Sequence, residues 1–182
     1  PKNYTVWEYR KWVLETMPEA DWTREMTIAE GYLERDGRNF HSWDYRRYLI
    51  SSILSLPPPI VEDGQGDKSR KEMKKPTTRS ELNYTTQKIS SNFSNFSAWH
   101  YRTKLLIKLW DEEAKEGKGV EEKEKKIESE FDLVKQAMWS DPNDQSAWLY
   151  HRWLVGKGMS LCLHLRGGFS ALTGCATGTI PI

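Results

Sequence analysis

The chain has 182 residues, a formal net charge of +1 and 29% charged side chains. A balance this close to neutral, with no one-sided basic run, excludes general attraction to nucleic acid or an anionic membrane. No apolar stretch is long enough to span a bilayer, and residues 1–155 contain no Cys, the pattern expected of a cytoplasmic protein.

In chain order, the first element follows Asn3, with Trp7 four residues on and Arg10 three beyond that. The segment from Thr23 predicts a helix capped by Thr23, with Met26, Ile28, Tyr32 and Leu33 at helical spacing and Gly37 at its end. Asn39 then supplies an N-cap, since its side-chain oxygen can accept a backbone N–H left unpaired in the first turn. The helix behind it keeps Trp43, Arg46 and Ile50 on one stripe. Residues 56–79 are rich in Pro, Gly and mixed charge, and are predicted to form a disordered surface loop. A helix over RSELNYTTQKISSNF leads to Asn95, Trp99 and Arg102. Gly117 and Gly119 mark a turn, and the charged run to Lys126 forms the solvated start of the next helix. There Ile127, Phe131, Val134 and Met138 make an apolar stripe, and Pro142 stops it. Asp144, Trp148 and His151 follow in the same frame.

Asn-x-x-x-Trp-x-x-Arg therefore occurs three times, with a fourth copy in which Asp144 and His151 replace Asn and Arg. The intervals between successive Trp residues are 36, 56 and 49. The shortest is that of a helix-turn-helix repeat, and the longer two each hold an insertion. The fold class is all-α: antiparallel helical hairpins stacked into a solenoid over residues 1–155. Residues 156–182 break the pattern, with six of the twelve Gly, both Cys and no acidic side chain. They read as an aberrant or disordered tail, of the kind a translated intron or a frame error leaves, with a native flexible tail as the alternative.

Size and aromaticity make Trp7, Trp43, Trp99 and Trp148 packing anchors between helices. Arg10, Arg46 and Arg102 are expected to pair with carboxylates or helix-end carbonyls of an adjacent hairpin; the other reading puts some of them at an interface with a partner. His41, His100 and His151 stand at three different offsets from their Trp residues, so no metal site is expected here. They read as surface or capping histidines.

The stretches ADWTREMTIAEGYLERDGRNFHSWDYRRYL, ELNYTTQKISSNFSNFSAWHYR and DPNDQSAWLYHRWL resemble the protein prenyltransferase alpha-subunit repeat. The resemblance covers residues 1 to about 155 and leans toward the Rab geranylgeranyltransferase (type II) branch. The alpha subunit shared by farnesyltransferase and type I geranylgeranyltransferase is the alternative within the family. Outside it, the alternative is a non-enzymatic helical-repeat scaffold, but no copy shows the Leu-Gly pair of tetratricopeptide units. The resemblance implies a right-handed alpha-alpha superhelix that wraps a beta subunit. That heterodimer would transfer geranylgeranyl from geranylgeranyl diphosphate to C-terminal cysteines of Rab GTPases presented with Rab escort protein. It also implies that this chain carries no cofactor, is inactive alone, and leaves the catalytic zinc to the beta subunit. Lys2 and Tyr4, which flank Asn3, match positions placed near the substrate diphosphate. PKNYTVWEYRKW resembles the family's second repeat, so a first repeat is expected upstream of Pro1.

Overall fold

The computed structural model describes residues 3–18, 20–57, 75–117 and 120–167. They form seven α-helices and, among the described residues, no strand: α1 (Tyr4–Thr16), α2 (Trp22–Arg35), α3 (Phe40–Ser55), α4 (Thr78–Ser91), α5 (Phe96–Lys115), α6 (Val120–Ser140) and α7 (Gln145–Gly167). Helices α2 and α3, α4 and α5, and α6 and α7 pack as hairpins. The motif helices also touch in sequence, α1 on α3, α3 on α5 and α5 on α7, so they form one continuous layer of an alpha-alpha superhelix.

Each motif helix begins as its Asn predicts. Asn3 Oδ1 accepts from the Thr5 amide at 2.9 Å, Asn39 Oδ1 from His41 at 3.1 Å, and Asn95 Oδ1 from Ala98 at 3.1 Å. Asp144 Oδ1 does the same for Ser146 at 3.0 Å. The turn before each cap has its own signature. Asp36, Asn92 and Asp141 lie three residues before Asn39, Asn95 and Asp144, and each side chain accepts the backbone N–H two residues on. The motif Trp then closes the turn from above. The indole N–H of Trp43, Trp99 and Trp148 donates to the carbonyls of Gly37, Phe93 and Pro142, each at 2.8 Å. Asn and Trp thus fix one turn from two sides, which is why they travel together.

Two local expectations change. The cap of α2 is Asp21, whose carboxylate accepts from the Arg24 amide, and not Thr23. Asp21 wins because it precedes the helix and because Trp22 starts the helical run. Gly37 lies two residues past the end of α2 and is not a left-handed cap; among described glycines only Gly117 has positive φ, at 70° after α5. Gly37 is used for room: a Cβ there would come within 3.3 Å of the Asn95 amide nitrogen, which donates to the Gly37 carbonyl at 2.7 Å.

The expected loop, residues 56–79, is described only at its ends. There α4 starts at Thr78 behind a Thr77–Ser80 capping box; residues 58–74 lie outside the described residues. Helix α7 runs on to Gly167, through the change of composition at Val155, and residues 168–182 lie outside the described residues.

Candidate functional site

Each junction between hairpins is built from four side chains at fixed offsets. Arg10 on α1 grips Glu25 on α2, with Nε to Oε2 at 3.0 Å and Nη2 to Oε1 at 2.7 Å, and the Tyr45 hydroxyl donates to the same carboxylate at 2.6 Å. Arg46 on α3 grips Glu81 on α4 at 3.0 and 2.7 Å, both side chains being about 5% exposed or less. Arg102 on α5 grips Glu130 on α6 at 2.6 and 2.7 Å, and Tyr150 donates to Glu130 at 2.7 Å. The Trp of one copy meets the Tyr of the next: Trp7 with Tyr45 at 5.1 Å between centroids, Trp43 with Tyr101 at 6.0 Å, and Trp99 with Tyr150 at 4.6 Å.

These carboxylates were missed from sequence, and they were readable. Glu25, Glu81 and Glu130 each stand 14 residues before Asn39, Asn95 and Asp144. The repeat is better written with that Glu at its head and a Tyr two residues after its Trp.

Electrostatics follow burial. Burial opposes the Arg46 and Arg102 charges, but the hydrogen bonds and negative charge of Glu81 and Glu130 outweigh it, and both guanidinium pKa values rise. Burial likewise pushes the Glu130 carboxyl up; Arg102, with Lys126 at 2.9 Å, pulls it below the usual carboxylate range. Burial first, and then the facing Glu130 charge, push the Tyr150 hydroxyl far up, so it stays a donor. Arg46 also lies 3.6 Å from the Tyr84 ring centroid and pairs with Glu30 at 2.9 Å. Arg46 and Arg102 are thus sealed inside the array, which overturns the interface reading for these two. Arg10, a quarter exposed, is tied down by the same kind of pair.

The remaining sequence candidates fall on different surfaces. Trp7, Trp43 and Trp99 are buried, at 3%, 0% and 1% exposure, as anchors should be. Trp148 is 44% exposed, because no described helix lies on its outer side. His151, in the Arg place, makes aromatic contacts with Phe131 and Trp148 and has no carboxylate partner among the described residues. His41 is buried, between Tyr4 and Phe40, and so is no surface histidine. Lys2 lies outside the described residues. Tyr4 is exposed at the first turn of α1, edge-on to His41 at 4.3 Å.

Three junctions of one chemistry, linking four units, match a known repeat. The family model for the protein prenyltransferase alpha subunit repeat fits residues 1–17, 22–53, 78–109 and 127–158. The chain belongs to that family. The matched spans after the first run from the helix carrying the junction Glu through the motif helix, so the family unit and the structural unit coincide. Among similar family members is the Geranylgeranyl transferase type-2 subunit alpha of Homo sapiens. It is 38% identical over 177 residues, covering 95% of this chain and 27% of that protein. The proteins of the same name in Schizosaccharomyces pombe (41% over 142 residues, 78% and 37%) and Saccharomyces cerevisiae (33% over 158 residues, 85% and 42%) are also similar. The chain spans between about a quarter and two fifths of these relatives' lengths. They do not favour the farnesyltransferase or free scaffold alternatives. Among the described residues no helix is long and apolar enough to cross a membrane.

Proposed function

We propose that this chain serves as the alpha subunit of a heterodimeric type 2 geranylgeranyltransferase acting in the cytoplasm. The observation that carries the proposal is the repeat itself, with its conserved-offset Glu–Arg–Tyr–Trp junctions, in a chain whose relatives bear that subunit's name. The partner is a beta subunit, and the substrates are geranylgeranyl diphosphate and Rab GTPases delivered with Rab escort protein. In the transfer, the thiolate sulfur of a Rab C-terminal cysteine attacks the carbon bearing the diphosphate. A C–S bond forms, the C–O bond breaks, and diphosphate departs with the electron pair.

The chain supplies shape rather than the nucleophile's activation. His41, His100 and His151 sit on three successive motif helices, and among the described residues no cluster of His, Cys, Asp or Glu can hold a metal. We assign catalytic zinc to the beta subunit on the resemblance to the family, and expect the chain alone to be inactive. One edge of this chain would reach the chemistry. Lys2 and Tyr4 are assigned to the isoprenoid diphosphate, where an ammonium stabilises the leaving group more in the transition state than in the ground state. The exposed Tyr4 hydroxyl would add a hydrogen bond.

The test is reconstitution of the full-length protein with a type 2 beta subunit, a Rab protein, escort protein and geranylgeranyl diphosphate. The expected result is a geranylgeranyl mass increment on Rab only when both subunits are present. Lys2→Ala should lower kcat about tenfold or more without weakening the heterodimer. Absence of transfer with an assembled heterodimer overturns the functional reading; unchanged kcat in Lys2→Ala overturns only the diphosphate assignment.

A further inference from the structure

The fourth copy leaves an apolar groove open. Trp7, Trp43 and Trp99 each meet the Tyr of the next copy, whereas Trp148 is 44% exposed and meets no such ring among the described residues. Beside it, between α6 and α7, runs a groove lined by Phe131, Met138, Trp148 and His151. At its rim stands Trp139, 79% exposed and without an aromatic contact among the described residues. The repeat does not call for an aromatic ring there. The same place, five residues before the motif Asn or Asp, holds Glu34 in the second copy and Ser90 in the third, both exposed. A Trp standing in water where its counterparts are polar, next to an apolar groove, marks a surface that protein covers.

Charge on the rim names the occupant. Asp132 and Lys135 border the groove, both are exposed, and neither has an ion-pair partner among the described residues. One face thus carries an anion, a cation, a groove and the ring to fill it. Such a face is complementary to itself, which is what a two-fold contact requires: residue i meets j while j meets i. An axis crossing α6 between Asp132 and Lys135 sets each against its opposite charge on an antiparallel copy of the helix. Helical side chains lean toward their own N-terminus, so Trp139 then lies over Phe131 and His151 of the second copy. His151, in the Arg place, brings no guanidinium that would need a buried carboxylate in return.

We infer that the α6–α7 groove is the contact face of a homodimer, with Trp139 as its anchor and Asp132 paired to Lys135 across the axis. The contact is closed by its symmetry, so assembly stops at two copies. It stands apart from the transferase reading and uses neither Lys2 nor Tyr4.

The test is sedimentation equilibrium of the full chain over a wide range of concentration. A single monomer–dimer equilibrium is expected. Trp139→Ala should raise its dissociation constant about tenfold or more. The melting temperature of the monomer should stay unchanged, because that ring is already in water. Asp132→Lys alone and Lys135→Asp alone should each raise the constant several-fold. The two together should restore it to within about twofold, since both pairs are remade across the axis. Trp12→Ala, on the exposed face of α1, should leave it unchanged. A monomer at every concentration overturns the inference, as does unchanged affinity in Trp139→Ala or equal weakening by Trp12→Ala. A double charge variant no tighter than the single ones overturns it too. Assembly beyond two copies would reveal an open head-to-tail contact and overturns it as well.

Discussion

The second and third copies of the motif, at Trp43 and Trp99, and the fourth, at Trp148, start their helices alike and finish them differently. In all three the Asn or Asp caps the helix, and the indole N–H holds the carbonyl two residues before that cap. Beyond this the copies part. Trp43 and Trp99 vanish under the next hairpin, and Arg46 and Arg102 reach a buried Glu on it. Trp148 stays half in water, and His151 packs on Phe131 where an ion pair would otherwise stand. The motif therefore does two separable jobs. One is local and always performed; the other joins one hairpin to the next.

The largest expected difference between the copies lies in the Trp residues. Trp99→Ala should cost roughly 4 kcal/mol, through lost burial and a cavity against Tyr150. Trp148→Ala should cost roughly 1 kcal/mol, because much of that ring never left water. Urea unfolding of both variants measures the gap, and equal costs would erase the distinction between closed and open junctions.

The second difference concerns charge. Arg102→Ala leaves Glu130 buried with Lys126 as its remaining cation, at a cost of roughly 3 kcal/mol. Its pH dependence has a definite sign. Glu130 is depressed in the folded chain, so its pairing stabilises the fold above the unfolded carboxyl value near about 4.3 and is lost as pH falls through the folded value. Acid titration of stability should be steeper for the parent than for Arg102→Ala below about pH 4. His151→Ala, which breaks no ion pair, should leave that titration unchanged.

The smallest effect is a gain. Asp144 Oδ2 is buried without a hydrogen-bond partner, whereas Asn95 in the equivalent place donates its amide to Gly37. Asp144→Asn should stabilise the fourth copy by about 1 kcal/mol, read as a rise in melting temperature. A fall would show that the carboxylate at this position has a use that the amide cannot serve.

The sequence by itself determined the starts of the motif helices, the hairpin period and the fold class. Those depend on contacts two to six residues apart, such as Asn39 to His41 or Trp43 to Gly37, and such contacts leave a fixed frame in one strand of text. It also predicted that the Arg residues would seek carboxylates, without saying which. Only the tertiary structure decided that Arg46 takes Glu81, 35 residues away across the long insertion, because variable insertions hide the offset when it is counted from the Arg. Counted backward from the Asn, the same Glu is always in register, since it belongs to the hairpin that the Asn completes. Burial was the other thing left open. Trp99 and Trp148 share a motif and a helix position, but a side chain is buried by what stands against it. That neighbour comes from another hairpin, which a local pattern does not encode.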